Sequence, residues 1–217
     1  MFVLGKFAKA FPKVVKAIDA AGHEVASHGY GHVEAFTQSK KEFKEDICKA
    51  KSLLEDLTGK PVIGHRSPDF SIIRSNFIWG MEAIAEAGFQ YDSSINPIQH
   101  SRYGIAEFPN FPVNLKLPSD RQIVVFPIAS YRMNGKNYPV GGGGYHRLLP
   151  SIIIQYFAKK ILKENQFVYY CHPYEFNGNE FKEIEIPIPL KVKLHQGLGR
   201  GKIFEQRFVS FVKTFGA

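Results

Sequence analysis

Glu24-Val25-Ala26-Ser27-His28-Gly29-Tyr30-Gly31-His32 runs from a short apolar stretch into two imidazoles four residues apart, and a strongly periodic helical segment follows. Four residues is about one helical turn, so a chain that bends into a helix by His32 points both rings the same way. Two such rings can hold one metal ion. Imidazole suits zinc and its neighbours, and a catalytic zinc takes three protein ligands plus a water, so the pair asks for a third donor. Paired histidines in a loop are also often incidental, and the spacing by itself leaves both readings open.

The same rhythm of strand, polar loop and helix repeats outward from this stretch. Met1 to Gly5 reads as a strand and a turn, and Lys6 to Ala21 sets Phe7, Phe11, Val14, Val15 and Ile18 at helical spacing, with Pro12 near a start or a break. Ser39 with Glu42 forms a capping box, after which Phe43, Ile47, Ala50, Leu54 and Leu57 mark one face until Gly59. Val62-Ile63-Gly64 is a short strand ending on His65-Arg66-Ser67-Pro68, Ser75 to Ala87 is a helix, and Phe89-Gln90-Tyr91 is a strand ending on Asp92-Ser93-Ser94. Alternation of this kind predicts βαβ units around a parallel sheet, an α/β fold whose chemistry lies at the strand ends.

The second half is less regular. Ile95 to Ser119 reads as a long loop, Ile123 to Ile128 as a strand, and Leu149 to Lys163 as a helix with Pro150 at its start. Gly141-Gly142-Gly143-Gly144 is a flexible run that lets a ligand or another strand approach the backbone closely, and it lacks the spacing of a phosphate loop. Phe167 to Cys171 is the clearest buried strand, delivering His172-Pro173-Tyr174-Glu175 at its end. Ile-Pro repeats and a final apolar helix, Phe204 to Phe215, make residues 182–217 a C-terminal extension packed on a single domain spanning 1–217.

Composition narrows the function classes. The 217 residues are 44% hydrophobic and 14% aromatic, as in a globular domain, with no apolar run long enough to span a bilayer. Lys and Arg exceed Asp and Glu by 28 to 20, a net +8, but the basic residues are spread without aromatic flanks, so a solvated surface is expected and not a nucleic-acid partner. Cys48 and Cys171 have no CxxC spacing and read as buried free thiols. His23, His65, His100, His146 and His195 read as surface or structural.

Taken together, His28 with His32, Arg66-Ser67-Pro68, Asp92-Ser93-Ser94 and His172-Pro173 resemble the polysaccharide deacetylases of the NodB-homology type. Pro139 to Tyr145 and His172 to Glu175 are most similar to the exopolysaccharide-associated branch. The resemblance implies a distorted (β/α)7 barrel and a divalent metal, usually zinc, serving removal of acetyl groups from N-acetylated sugars of a polysaccharide. It assigns His28 and His32 as metal ligands, Arg66 as the residue orienting the base, and His172 as general acid. Asp92 either positions Arg66 or His172 or simply ends its strand. Amide hydrolysis needs a nucleophilic water, a clamp for the oxyanion and a proton for the leaving amine, and these residue types suit those needs.

The family's opening strand bears a Thr-Phe-Asp-Asp type motif that supplies the catalytic base and the third ligand, and this sequence starts just after it. Three explanations stand. The chain is a shortened version of a longer gene product; another carboxylate, such as Asp69 or Asp92, is the ligand; or catalysis is lost and sugar binding kept. Loss of the base costs about 10²–10⁴ in rate, so the chain alone is expected to be a feeble deacetylase. An open barrel edge would seek cover from another segment or a second copy, a homodimer. No signal peptide is legible, which fixes no compartment for a chain read this way.

Overall fold

The computed structural model describes residues 1–179, 187 and 189–216. They fall into two compact units, Met1–Pro127 and Ile128–Ala217.

In the first unit, strand β1 (Phe2–Val3) leads into helices α1 (Gly5–Ala10) and α2 (Pro12–Ala20). The break between them falls at Phe11, because Pro12 has no N–H to continue the first helix but suits the first position of the second. Strand β2 (Ala26–Ser27) follows, then helix α3 (Lys40–Thr58). That helix begins at the expected capping box: the Glu42 N–H donates to Ser39 Oγ, and the Ser39 N–H donates to the Glu42 carboxylate at 2.8 Å. Its apolar face buries Phe43, Ile47, Ala50 and Leu54 completely. Truncating Ile47 or Leu54 to Ala removes about 2–5 kcal/mol, the transfer energy plus the cavity left behind.

Strand β3 (Gly64–His65), helix α4 (Phe77–Glu86) and strand β4 (Tyr91–Asp92) complete the alternation, and β5 (Val113–Lys116) and β6 (Gln122–Val125) close the unit. The sheet order is β1-β2-β3-β4-β6-β5, parallel except for the β5–β6 pair. β5 lies within the stretch read from sequence as loop. Its residues alternate half-buried and exposed, a pattern too weakly apolar to stand out, and its pairing with β6 through a tight turn defines it. The core packs Phe43, Ile47, Leu54, Met81, Ile84 and Phe89 from the helices and their flanks against Ile95, Ile123 and Val125.

The second unit opens with a hairpin, β7 (Ser130–Met133) and β8 (Lys136–Pro139), followed by helices α5 (Gly143–Leu148), α6 (Ser151–Leu162), α7 (Leu190–Gly197) and α8 (Lys202–Phe215). Its core gathers Ala129, Val140, Ile154, Ala158, Ile161 and Phe211. The glycine run is not a slack loop. It turns into α5, and Gly142 bridges in parallel to Tyr170, so of the two roles open to it the close approach of another strand is the one realised. Phe167 to Cys171 differs from expectation. These residues are half-buried, not core, and they pair with the glycine run only through a single bridge and the bonds around it. The hydrophobic run overstated its burial because rings such as Tyr169 lie against α8 at Phe208 and Phe211 instead of entering a sheet interior. The final helix is where the apolar pattern put it; Lys182 to Ile186 and Ile188 of the expected extension lie outside the described residues. Among the described residues no helix is long and apolar enough to cross a membrane. Cys48 and Cys171 are not joined in a disulfide, and each is half-buried.

Candidate functional site

The parallel register sets the site. Val3 pairs with Ser27, Ser27 with His65, His65 with Asp92 and Asp92 with Val125, so the strands end level. Each following residue is tied to the next strand: the His28 N–H donates to the Val3 carbonyl, Arg66 N–H to Ser27 and Ser93 N–H to His65, each at 2.9 Å. His28, Arg66 and Ser93 thus emerge side by side at the carboxyl edge of the sheet, where parallel α/β folds place ligands.

His28 and His32 do meet, with ring centroids 5.3 Å apart and planes at 72°. Two imidazoles bound through one nitrogen each to a tetrahedral zinc at ~2.0–2.1 Å put their centroids about 5 Å apart, so the separation fits a shared ion. The expected helical turn is absent, however. Residues 28–34 form a loop in which Gly29 has φ 73° and His32 φ 58°, and this left-handed geometry, not a one-turn rise, brings the rings together. A histidine with positive φ is uncommon and clusters where the surroundings over-determine the backbone. Here Asp46 of α3 does so: the N–H groups of Tyr30 and Gly31 donate to its carboxylate at 2.7 and 2.9 Å.

The His28 Nδ1 lies 2.7 Å from the Arg66 carbonyl oxygen, which can only accept, so Nδ1 carries the proton and Nε2 keeps its lone pair. Burial pushes the His28 pKa down to about 3, against the bond it donates to the Arg66 carbonyl, which favours the charged ring, so the imidazole is neutral near pH 7 and ready to ligate. Arg66 is itself buried. Its Nε donates to the Ser93 carbonyl at 3.0 Å, its Nη2 donates to Ser93 Oγ at 2.8 Å, and its guanidinium lies 4.1 Å from the centroid of the Phe2 ring.

Asp92 is fully buried, and its partners are His65 and Ser94. It accepts from Ser94 N–H and Ser94 Oγ, each at 2.7 Å, and pairs with His65 Nδ1 at 2.9 Å. His65 is equally buried between Phe43 and Phe89, and its Nε2 has no hydrogen-bond partner among the described residues. Sequence reasoning left His65 and Asp46 without roles. A carboxylate at position 46, beside Phe43 and Ile47 on the packed face of α3, was the legible signal for one; for His65 the signal was its level with Asp92 at the strand ends.

His172 belongs to the second unit. It is exposed, with its ring stacked on Tyr174 at 5.1 Å, and its N–H donates to Glu175 at 3.0 Å. Glu175 is buried against Arg147, whose Nε donates to it at 2.9 Å, so the strand-end segment is held by an internal ion pair. As to metal, the residues present fit as two donors of one site: two imidazoles at the right separation. Among the described residues no third His, Cys, Asp or Glu joins them. Of the two substitute carboxylates, Asp92 is committed to His65 and Ser94, while Asp69 is exposed and faces Arg102 at 3.9 Å.

Comparison with known proteins divides the chain near residue 92, within the first unit. Residues 1–91 match the family described as "Polysaccharide deacetylase", and residues 93–216 match "Domain of unknown function (DUF3473)". The Helicobacter pylori peptidoglycan deacetylase is 34% identical over 96 residues, 43% of this chain and 31% of that protein. A Bacillus cereus peptidoglycan-N-acetylglucosamine deacetylase is 31% identical over 81 residues, 37% of this chain and 30% of that protein. The matched region thus spans under a third of these curated relatives. Among solved structures, a Mycobacterium smegmatis protein named as a candidate polysaccharide deacetylase aligns with TM-score 0.58 and 20% identity, over 80% of this chain and 57% of that one. An allantoinase aligns with TM-score 0.58 and 18% identity, over 99% of this chain and 61% of that one. These likenesses bear out the α/β fold of the distorted (β/α)7 type. The chain belongs to the DUF3473 family, and its first 91 residues match the polysaccharide deacetylase family.

Proposed function

We propose that this chain serves a metal-dependent deacetylase that removes acetyl groups from the N-acetylated sugars of a surface polysaccharide. The observation that carries the reading is the His28–His32 pair, 5.3 Å between ring centroids, at the carboxyl edge of the sheet beside Arg66. The two rings would hold zinc or another divalent ion, which in a catalytic site takes a third protein donor. When bound, such an ion acidifies a water and polarises the acetyl carbonyl.

The chain's own residues supply the rest. The Arg66 carbonyl fixes the His28 tautomer and aims Nε2 outward, and burial keeps that ring unprotonated. The Arg66 guanidinium, held by Ser93, is the charge that would orient the base. Asp92 sets the strand end through His65 and Ser94, a positioning role. His172, exposed and steadied by Tyr174 and Glu175, would give the proton to the leaving amine, since histidine with an ordinary pKa of ~6.5 exchanges protons near neutrality.

A second reading, a saccharide-binding protein on the same fold, is favoured by one observation: no carboxylate joins the two imidazoles among the described residues. Metal analysis separates the two. After dialysis against zinc, near-stoichiometric metal lost in H28A and H32A, with slow acetate release from N-acetylglucosamine oligomers abolished by H172A, supports the deacetylase. Oligomer binding with neither metal nor acetate release transfers the conclusion to the binding protein.

A further inference from the structure

We propose that Asp46 is a positioning residue for the imidazole pair, fixing the Gly29–His32 loop so that the rings converge and thereby setting how tightly the metal is held. This rests on the reading of His28 and His32 as a metal-holding pair.

His28 and His32 are anchored differently. His28 is held by the sheet, through its N–H to Val3 and its ring to Arg66. His32 has no strand beneath it, and its place depends on the loop between them. That loop is tied to α1, where the Gly5 and Lys6 N–H groups donate to the Gly29 and Tyr30 carbonyls at 2.9 and 3.0 Å, and nearer His32 it is tied by Asp46. Two successive amides, Tyr30 and Gly31, donate to the two oxygens of one carboxylate at 2.7 and 2.9 Å, and bonds to a charged acceptor are roughly twice as strong as neutral ones.

The glycines of the motif fit this arrangement. A Cβ on Gly29 would lie 2.9 Å from Asp46 Oδ2, and one on Gly31 would lie 3.2 Å from Oδ1, so on both sides of Tyr30 only hydrogen leaves the carboxylate room to reach the amides. Gly29 also has φ 73°, which a side chain would strain. The carboxylate stands on a rigid base, because α3 is fixed by its capping box and by the buried Phe43 and Ile47 on either side of Asp46. Lys49, one turn along, covers the loop by placing its ammonium 3.9 Å from the Tyr30 ring centroid. The bonds to Asp46 offset the cost of holding His32 at φ 58°, and without them the loop relaxes and the second ring leaves the first.

The test titrates zinc, and cobalt(II) as a coloured stand-in, into the full 217-residue chain. Wild type, D46N, D46A, H32A and a His28→Ala/His32→Ala double variant are compared by chelator competition and visible spectra. D46N and D46A should keep the native near-UV circular dichroism, lose about 10–100-fold in metal affinity, and shift the cobalt bands. Wild-type affinity and spectrum in D46N, beside weak binding by H32A, overturns the role of Asp46 and leaves the pair standing. Wild type binding no better than the double variant overturns both. Should the variants misfold, hydrogen exchange on the native chain decides. Slow exchange at the Tyr30 and Gly31 amides supports the tether, and exchange at open-loop rates refutes it.

Discussion

His65 Nδ1 and Asp92 Oδ2 are 2.9 Å apart on adjacent parallel strands, both residues sealed from solvent. Asp92 also takes two bonds from Ser94, so one buried carboxylate satisfies three donors. Asp92→Ala would strand all three, each a desolvated group worth about 1–3 kcal/mol, and should destabilise the first unit by about 3 kcal/mol or more. Asp92→Asn, which keeps the shape and part of the bonding, should cost less. Urea denaturation of the two variants against wild type checks the order, and equal midpoints for D92A and wild type would contradict it.

Arg66 should not tolerate lysine. Its guanidinium reaches the Ser93 carbonyl and hydroxyl together while lying over Phe2, and a lysine ammonium offers neither the fork nor the flat face. Arg66→Lys is expected to retain the fold, lower stability by about 1–2 kcal/mol, and weaken zinc binding because the Arg66 carbonyl that orients His28 shifts with it. Thermal melting paired with metal titration reads both effects; a variant matching wild type in both would remove Arg66 from the site.

How much of this was legible depends on the length scale of each interaction. The capping box from Ser39 to Glu42, the face from Phe43 to Leu57 and the break at Pro12 are local, and the spacing of residues along the chain states them outright. The level ending of β2, β3 and β4 was legible as a recurrence of polar residues after apolar ones. The loop geometry was not, because helical spacing and a left-handed loop can both juxtapose residues four apart. The distant Asp46, with the N–H groups of Gly5 and Lys6, decides between them. Burial in the second unit was misjudged at Phe167 to Cys171 for a related reason: the packing of those rings is set by α8, far along the chain.

Gly143 should reject even a methyl group. A Cβ there would collide with the Glu175 carboxylate, which is buried and pinned by Arg147 and by the His172 N–H, so it cannot swing aside. Gly143→Ala is expected to destabilise the second unit by about 1–3 kcal/mol, the usual cost of overpacking. Gly144→Ala, where the nearest atom is the end of the Arg147 side chain at 3.9 Å, serves as the neutral control. Similar melting of the two variants would refute the close approach.

The Arg147–Glu175 pair should behave as buried ion pairs do, with each partner more damaging to lose alone than both together. Arg147 also donates to the carbonyls of Gln196 and Leu198, at 3.2 and 2.6 Å. Arg147→Met leaves a buried carboxylate uncompensated and is expected to cost about 3–5 kcal/mol, with Glu175→Gln somewhat less. In the double variant the loss should be well short of the sum. A double-variant cycle in urea measures the coupling, and additive losses would show that the two side chains act independently.

His146 makes the second unit sensitive to mild acid. The residue is buried, with Nδ1 3.0 Å from the Tyr169 hydroxyl and rings of Phe204 and Phe211 around it. Burial, aided by the nearby Arg207 charge, pushes its pKa from the ordinary 6.5 down to about 4. Above pH 6.5 both folded and unfolded forms carry it neutral, and it contributes no pH dependence. Between 6.5 and 4 the unfolded chain takes up a proton that the folded unit refuses, so stability falls as pH falls, by an amount on the order of 1–3 kcal/mol. Below 4 the folded form also binds the proton and this contribution levels off. Urea denaturation of wild type and His146→Gln at intervals from pH 7 to 4.5 isolates the effect: the variant starts less stable, and the gap should narrow steadily with acid. Parallel curves would mean that the imidazole titrates alike in both states.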